Sequence, residues 1–250
     1  HSTNSTMIIG IIPARFASTR FPGKALVDIG GKSMIQRVYE QSKKSRSLNK
    51  IIVATDDERI LDHVIDFGGE AVMTSKDHAS GTDRCFEALS HVQEFYQYII
   101  NIQGDEPFIE PAQIDELADA LHDNVEIATQ MIAIKNKEEL FDAGEAKIVL
   151  NENDEALYFS RSPIPFIRNV SEENWHLHHT FYRQVGMYAY RKDILKKITQ
   201  LPVSSLEKAE SLEQLRWLQN GFKIKCVLTK YESHCVDVPE DVAKVIRLKL

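Results

Sequence analysis

MIIGIIPARFASTRFPGK, residues 7–24, decides the fold. It opens with an apolar, β-branched run, 7–13, of the kind that forms a strand buried on both faces, and passes directly into a loop rich in cations and small residues. In open α/β sheets, ligands sit beyond the carboxyl ends of the strands, so the loop after this strand is where a ligand is expected. Arg15, Arg20 and Lys24 are interspersed there with Pro13, Ala14, Ala17, Ser18, Thr19, Pro22 and Gly23. Small side chains let backbone N–H groups approach an anion, and arginine presents a planar fork matched to phosphate. Each hydrogen bond to a charged group contributes roughly 1.5–3 kcal/mol, so three converging cations would strongly favour a triphosphate. The competing reading is a solvated basic loop. Neither a Walker A loop nor a G-x-G-x-x-G fingerprint is present, since Gly31-Lys32-Ser33 would need a glycine at Leu26.

Outward from this segment the chain alternates strand and helix patterns. Strands are predicted at 50–54, 71–73 and 98–103, and helices at 33–44, 56–67, 81–92 and 111–122, the last with Pro111 in its first turn. That is an α/β chain with a mixed, mostly parallel sheet and helices on both faces. Residues 127–190 read differently, with strand-like runs at 127–134, 147–150, 157–160 and 185–190 and a polar stretch, 169–180, expected to be a long loop. They are expected to form a small inserted β-rich lobe within one domain spanning 7–250, carrying acceptor contacts or a dimer surface. A helix over 206–219, a strand at 223–229 and a closing helix from Pro239 return the chain to the main sheet.

With 250 residues and 43% hydrophobic content, the chain is long enough to bury a large core. Cys85, Cys226 and Cys235 are odd in number and far apart, which indicates neither a disulfide framework nor a zinc site and points to a reducing cytoplasm. Residues 1–6 are expected to be a polar remnant of expression ahead of a natural start at Met7. The apolar run behind it is too short for a signal peptide, and no membrane span is expected. A net charge of −7 argues against nucleic acid as partner, because phosphate-backbone binding wants a basic surface.

Two further strand ends carry acidic residues. GDEP, 104–107, places Asp105 after the strand at 98–103, facing the cradle. Magnesium takes hard oxygen ligands and keeps several waters, so it needs only one or two carboxylates beside phosphate oxygens, and Asp105 is the preferred ligand. An aspartate that caps the turn is the alternative. HCVDVPED, 234–241, places Asp237 where it could complete the metal site, although VPED is also an ordinary helix start with acidic residues in its first turn. The run Trp175-His176-Leu177-His178-His179 reads as solvated histidines in a polar loop. Leu212, Leu215 and Leu218 form a core stripe that leaves Glu213 and Gln214 without a role from spacing alone.

Together these motifs resemble the CMP-Kdo synthetases, the 3-deoxy-manno-octulosonate cytidylyltransferase family. The likeness rests on IIPARFASTRFPGK, IVATDDERI (52–60), MTSKDHASGTDR (73–84), NIQGDEPFI (101–109), ALYFSRSPIP (156–165), SLEQLRWL (211–218) and VDVPED (236–241). The first and fourth are shared more loosely with other sugar nucleotidyltransferases, whereas SGTDR, YFSR and LEQLR together are specific. The resemblance implies a Rossmann-like nucleotidyltransferase fold of the GT-A type. CTP would bind along Pro13 to Lys24, with its phosphates on Arg15 and Lys24 and with Mg2+ on Asp105 and Asp237. The C2 hydroxyl of the octulosonate (Kdo) would attack the α-phosphorus and release pyrophosphate, giving CMP-Kdo for lipopolysaccharide biosynthesis, with metal coordination of that hydroxyl lowering its pKa. The resemblance further implies that Ser80, Thr82, Arg84 and Gln103 line the base and ribose, that Arg161, Tyr188, Glu213 and Gln214 meet the sugar acid, and that the chain forms a homodimer. One position departs from the pattern. Relatives usually carry a histidine two residues before the glycine of H-x-G-x-Y, and here RQVGMYAYR has Gln184, an amide that cannot carry an imidazolium charge. An 8-amino octulosonate is therefore the alternative acceptor, sialate a second, and a nucleotide-binding module without chemistry a third reading.

Overall fold

A computed structural model describes residues 6–250, so the reading of 1–6 as a remnant of expression falls, apart from Thr6, outside the described residues. The first half runs β1 (Ile8–Ala14), the hairpin β2 (Asp28–Ile29) and β3 (Lys32–Ser33), α1 (Met34–Lys43), β4 (Lys50–Thr55), α2 (Glu58–Asp66), β5 (Ala71–Met73), α3 (Gly81–Ser90), β6 (Tyr98–Asn101) and α4 (Pro111–Asp119). The second half runs β7 (Ile127–Ala133), α5 (Lys137–Leu140), β8 (Lys147–Leu150), β9 (Ala156–Ser160), α6 (Trp175–His178), β10 (Tyr182–Arg191), α7 (Lys192–Ile198), α8 (Ser205–Glu210), α9 (Gln214–Gln219), β11 (Ile224–Leu228) and α10 (Glu240–Lys249).

The main sheet has the order β11-β7-β10-β6-β1-β4-β5, with β8 and β9 attached beside β10. Only β10 runs against its neighbours β6 and β7 on that path; the remaining pairs are parallel. The two-residue period of β1 explains why its sequence is apolar throughout. Ile8 and Ile12 enter the core under α1, α2, α4 and α10, while Ile9 and Ile11 enter the core under α3, α7 and α9. β4 repeats the division, with Ile51 and Val53 on one face and Ile52 and Ala54 on the other. Helix starts follow local chemistry: Ser33, Asp57 and Ser80 each accept a backbone N–H from the first turn of α1, α2 and α3.

Three expectations need correction. Residues 127–190 are not a lobe apart from the sheet, because β7 and β10 form its middle; their pairing, Tyr190 with Ile127 and with Ile99, ties both into the parallel half. What projects is the segment between them, where β8 and β9 pair and a third core forms from Ile134, Leu140, Trp175 and Phe181. The stretch 169–180 is not all loop, since α6 lies there with buried Trp175 as its first residue. The helix expected over 206–219 is two, because Ser211 adopts a left-handed conformation (φ 53°) that an α-helix cannot hold. No helix among the described residues is long and apolar enough to cross a membrane.

Candidate active site

The carboxyl ends of β1 and β6 open into a cleft of about 430 Å³. Its wall includes Pro13, Ala14, Arg15 and Lys24 from the first loop, Ser80, Thr82 and Arg84 from the start of α3, Gln103 and Asp105 after β6, and Tyr188, Glu213 and Gln214 from the far side. Twelve residues singled out in the sequence, from five separate segments, therefore face one space.

The cradle is held from beneath. Phe16 lies under the Arg59 guanidinium, 3.5 Å from its ring centroid, and Arg59 is itself fixed by two bonds to Asp57. Gly23 closes the loop at φ 70°, donating its N–H to the Phe16 carbonyl at 2.9 Å. Gly104 is required by proximity, since a Cβ there would stand 2.8 Å from the Pro13 carbonyl oxygen. Arg15 lines the cleft with its side chain exposed, as a ligand-binding cation must be. Thr19 and Arg20 are solvent-exposed and Ser18 accepts the Phe21 N–H, and none of the three lines the cleft.

Lys24 Nζ stands 3.8 Å from Asp105 and 4.0 Å from Asp237. Asp237 reaches this point because the Val236 N–H donates to the Asp105 carbonyl at 2.7 Å, which ties the segment before α10 to the edge of the cleft, although Asp237 is not itself among the lining residues. Burial in this concave floor raises the Asp105 pKa; the Lys24 charge opposes that rise and the neighbouring Asp237 carboxylate adds to it. One oxygen of Asp105, Oδ1, is buried with no hydrogen-bond partner among the described residues. An orphaned carboxylate oxygen, a second carboxylate and a single ammonium at long range leave a deficit of positive charge. That is the environment that a hard divalent cation completed by water and ligand oxygens would fill. No group of three or more His, Cys, Asp or Glu residues among the described residues is placed to hold a metal ion by itself, so the two aspartates would rely on those other oxygens.

The opposite wall is built on α3 and α9. The N-terminus of α3 lies at the cleft, with its cap Ser80 and first residues Gly81 and Thr82 among the lining, where the helix dipole favours negative charge. Thr82 Oγ1 donates to Glu213 at 2.7 Å and meets the Tyr190 hydroxyl at 2.9 Å. Burial raises the Glu213 pKa, with the Thr82 and Ser80 hydrogen bonds acting against it. Arg84 lines the cleft, but its guanidinium donates to Thr74 Oγ1 (2.6 Å) and the Ser75 carbonyl (2.8 Å), so it braces the strand-end loop.

Two expected acceptor contacts lie elsewhere. The Arg161 fork donates to the main-chain carbonyls of Glu210, Ala143 and Ser211, and Arg161 does not line the cleft. Gln184 sits one layer behind the wall, accepting from Gln214 at 2.8 Å. Conversely, His78 and Asn101 line the cleft without having been singled out. Asn101 had a signal, as the one polar residue of YIIN at a strand's carboxyl end. His78 is paired with Glu87 at 3.0 Å, a partner nine positions away that no motif spacing announces.

Comparison with known proteins follows the same lines. Residues 9–224 match the family model described as Cytidylyltransferase. The chain is 55% identical over 243 residues to the 3-deoxy-manno-octulosonate cytidylyltransferase of Parabacteroides distasonis, covering 95% of this chain and 96% of that protein. It is 50% identical to the enzyme of the same name from Cytophaga hutchinsonii, covering 97% and 98%. Among solved structures, a CMP:2-keto-3-deoxy-manno-octonic acid synthetase complexed with CTP superposes with a TM-score of 0.90 at 41% identity, covering 97% of this chain and 98% of that one.

Proposed function

Because the chain belongs to the 3-deoxy-manno-octulosonate cytidylyltransferase family, we propose that it transfers CMP from CTP to the anomeric C2 hydroxyl of 3-deoxy-D-manno-octulosonate, releasing pyrophosphate. It is a nucleotidyltransferase. The observation that carries the reading of the site is the meeting of Lys24, Asp105 and Asp237, from three distant segments, at the mouth of the cradle.

Positioning and charge neutralisation carry a displacement at phosphorus, with little covalent work for the protein. Arg15, Lys24 and the start of α3 bind and orient the triphosphate. Asp105 and Asp237 would hold Mg2+. When bound, the ion supplies positive charge to the phosphate oxygens and lowers the pKa of a hydroxyl it contacts. Glu213, Gln214 and Tyr188 form the wall where the sugar hydroxyls would lie, and the Thr82 hydroxyl, itself met by the Tyr190 hydroxyl, holds the Glu213 carboxylate there. Arg161 supports this wall from behind, through the Glu210 and Ser211 carbonyls.

Two broader properties belong to the same proposal. The projecting segment between β7 and β10 exposes Phe166 and Leu177, 73% and 71% accessible, and these are the surface through which two copies would pair. Three free cysteines fit a reducing compartment. The test of the reaction is the product. After incubation with CTP, Mg2+ and the octulosonate, 31P NMR should show one phosphodiester resonance coupled to C2 of the sugar and an equal yield of pyrophosphate. A phosphorylated sugar, or CMP without sugar attached, would reject the proposal.

A further inference from the structure

The far wall of the cleft is polar, and the hydrogen bonds behind it run in one direction. Gln214 is 4% exposed and lines the cleft. Its Nε2 donates to Gln184 Oε1 at 2.8 Å, Gln184 Nε2 donates to Thr129 Oγ1 at 3.0 Å, and the Thr129 hydroxyl donates to the main-chain carbonyl of Met187 at 2.9 Å. The last member fixes the sense of all the others. A main-chain carbonyl can only accept, and a hydroxyl has one proton to give. Thr129, having donated to Met187, can meet Gln184 only as an acceptor. Gln184 must then turn its NH2 toward Thr129 and its carbonyl toward Gln214, and Gln214 must turn its NH2 toward Gln184. Reversing either amide would set donor against donor or acceptor against acceptor in a part-buried contact, and turning the Thr129 hydroxyl to suit would leave the buried Met187 carbonyl without its donor.

The anchor is built by the backbone. β10 shifts register against β7 between Val185 and Tyr188, and Gly186 takes φ +65° there. Met187 falls inside this irregularity, with no partner in register on β6 or β7, which leaves its carbonyl for the fully buried Thr129. At the other end of the relay, Gln214 Oε1 accepts no hydrogen bond from any described residue.

We propose that Thr129 and Gln184 are positioning residues that lock Gln214 with its carbonyl oxygen toward the cleft. This point of the wall is then a fixed hydrogen-bond acceptor that takes a hydroxyl of the ligand and disfavours a carboxylate or any acceptor-only group. The inference rests on the reading of the second substrate as a sugar acid. Neither Thr129 nor Gln184 touches that substrate; both act through Gln214.

Thr129→Val and Gln184→Leu each break the relay at a different link. With the octulosonate varied at saturating CTP, each should raise the KM for the sugar acid about tenfold, the loss of roughly one well-made hydrogen bond, with kcat and the KM for CTP unchanged. The double variant should be no worse than the worse single, because a relay breaks once. Thr129→Ser, which keeps the hydroxyl, should restore the wild-type KM. Unchanged KM in both singles, or losses that multiply in the double, would overturn the proposal. The relay also has a readout independent of turnover. In 15N-labelled protein without substrates, the Gln214 side-chain amide protons should exchange slowly, and quickly in Thr129→Val. Equal exchange in the two proteins would overturn the relay even in an active enzyme. Slow exchange in a wild type that fails to turn over the sugar acid would leave the relay standing and reject the functional reading instead.

Discussion

Asp105 bears a demand that no other side chain of the cleft bears: a carboxylate with a buried, unpartnered oxygen, beside a second carboxylate and a lysine too distant for a close ion pair. Removing charge from either aspartate should therefore damage chemistry and spare folding. Asp105→Asn and Asp237→Asn are each expected to lower turnover at least about a hundredfold, on the scale of a lost charge-stabilising group, with the thermal midpoint unchanged. Initial rates of pyrophosphate release and a thermal melt check both halves. Glu213 gives a pH test. Burial raises its pKa above the ordinary 4.5, so the folded state keeps a proton that the unfolded chain has released. Stability then falls as pH rises from 4.5 through the raised value. Glu213→Gln removes that titration, so its urea midpoint should gain on the wild type as the pH is raised across this window; parallel profiles would contradict the assignment. At this scale the sequence was legible wherever a residue follows a strand, as with Arg15, Lys24 and Asp105. Arg161 and Gln184 were not, because which partner takes a fork or an amide depends on carbonyls delivered from elsewhere, those of Ala143, Glu210 and Ser211 for the one, and the Thr129 hydroxyl for the other.

β1 and β4 were legible because burial on both faces writes an unbroken apolar run, and the observed bounds of these two, and of the less buried β5 and β8, lie within a residue of the pattern. The run 206–219 was not, for a physical reason: apolar periodicity continues across Ser211 although the backbone turns left-handed there. The turn is held from outside. Glu210 accepts from the Tyr158 and Ser160 hydroxyls and the Arg161 N–H, while the Arg161 side chain takes the Glu210 and Ser211 carbonyls. α9, with Glu213 at its cap and Gln214 in its first turn, is thus aimed by β9. Arg161→Lys removes the fork and should destabilise the protein by about 2 kcal/mol while lowering kcat, since the wall loses its support. Urea unfolding alongside kinetics distinguishes this from direct contact, in which the KM for the sugar acid would rise with stability unchanged.

At the level of the whole molecule, β10 matters most. Along the path β11-β7-β10-β6-β1-β4-β5 it alone runs against its neighbours, and its return places Tyr188 and the Gly186 irregularity beside the cleft. A sequence pattern gives strands without their neighbours, which is why 127–190 read as a lobe although its two ends are central strands. The segment that does project carries Phe166 against Trp175, with ring centroids 5.1 Å apart, and exposed Leu177. Sedimentation velocity should find a dimer for the wild type and a monomer for the Phe166→Glu, Leu177→Glu double variant, the latter still folded by circular dichroism. A monomeric wild type would remove that surface from the account. The central claim, that this cleft joins CMP to an octulosonate, is tested most directly by pyrophosphate release with Mg2+ across a crossed panel: CTP, UTP, GTP and dTTP against the octulosonate, its 8-amino form and sialic acid. The account predicts turnover with CTP and the octulosonate well above every other pairing, and turnover with sialic acid alone, or with none of the acceptors, would contradict it.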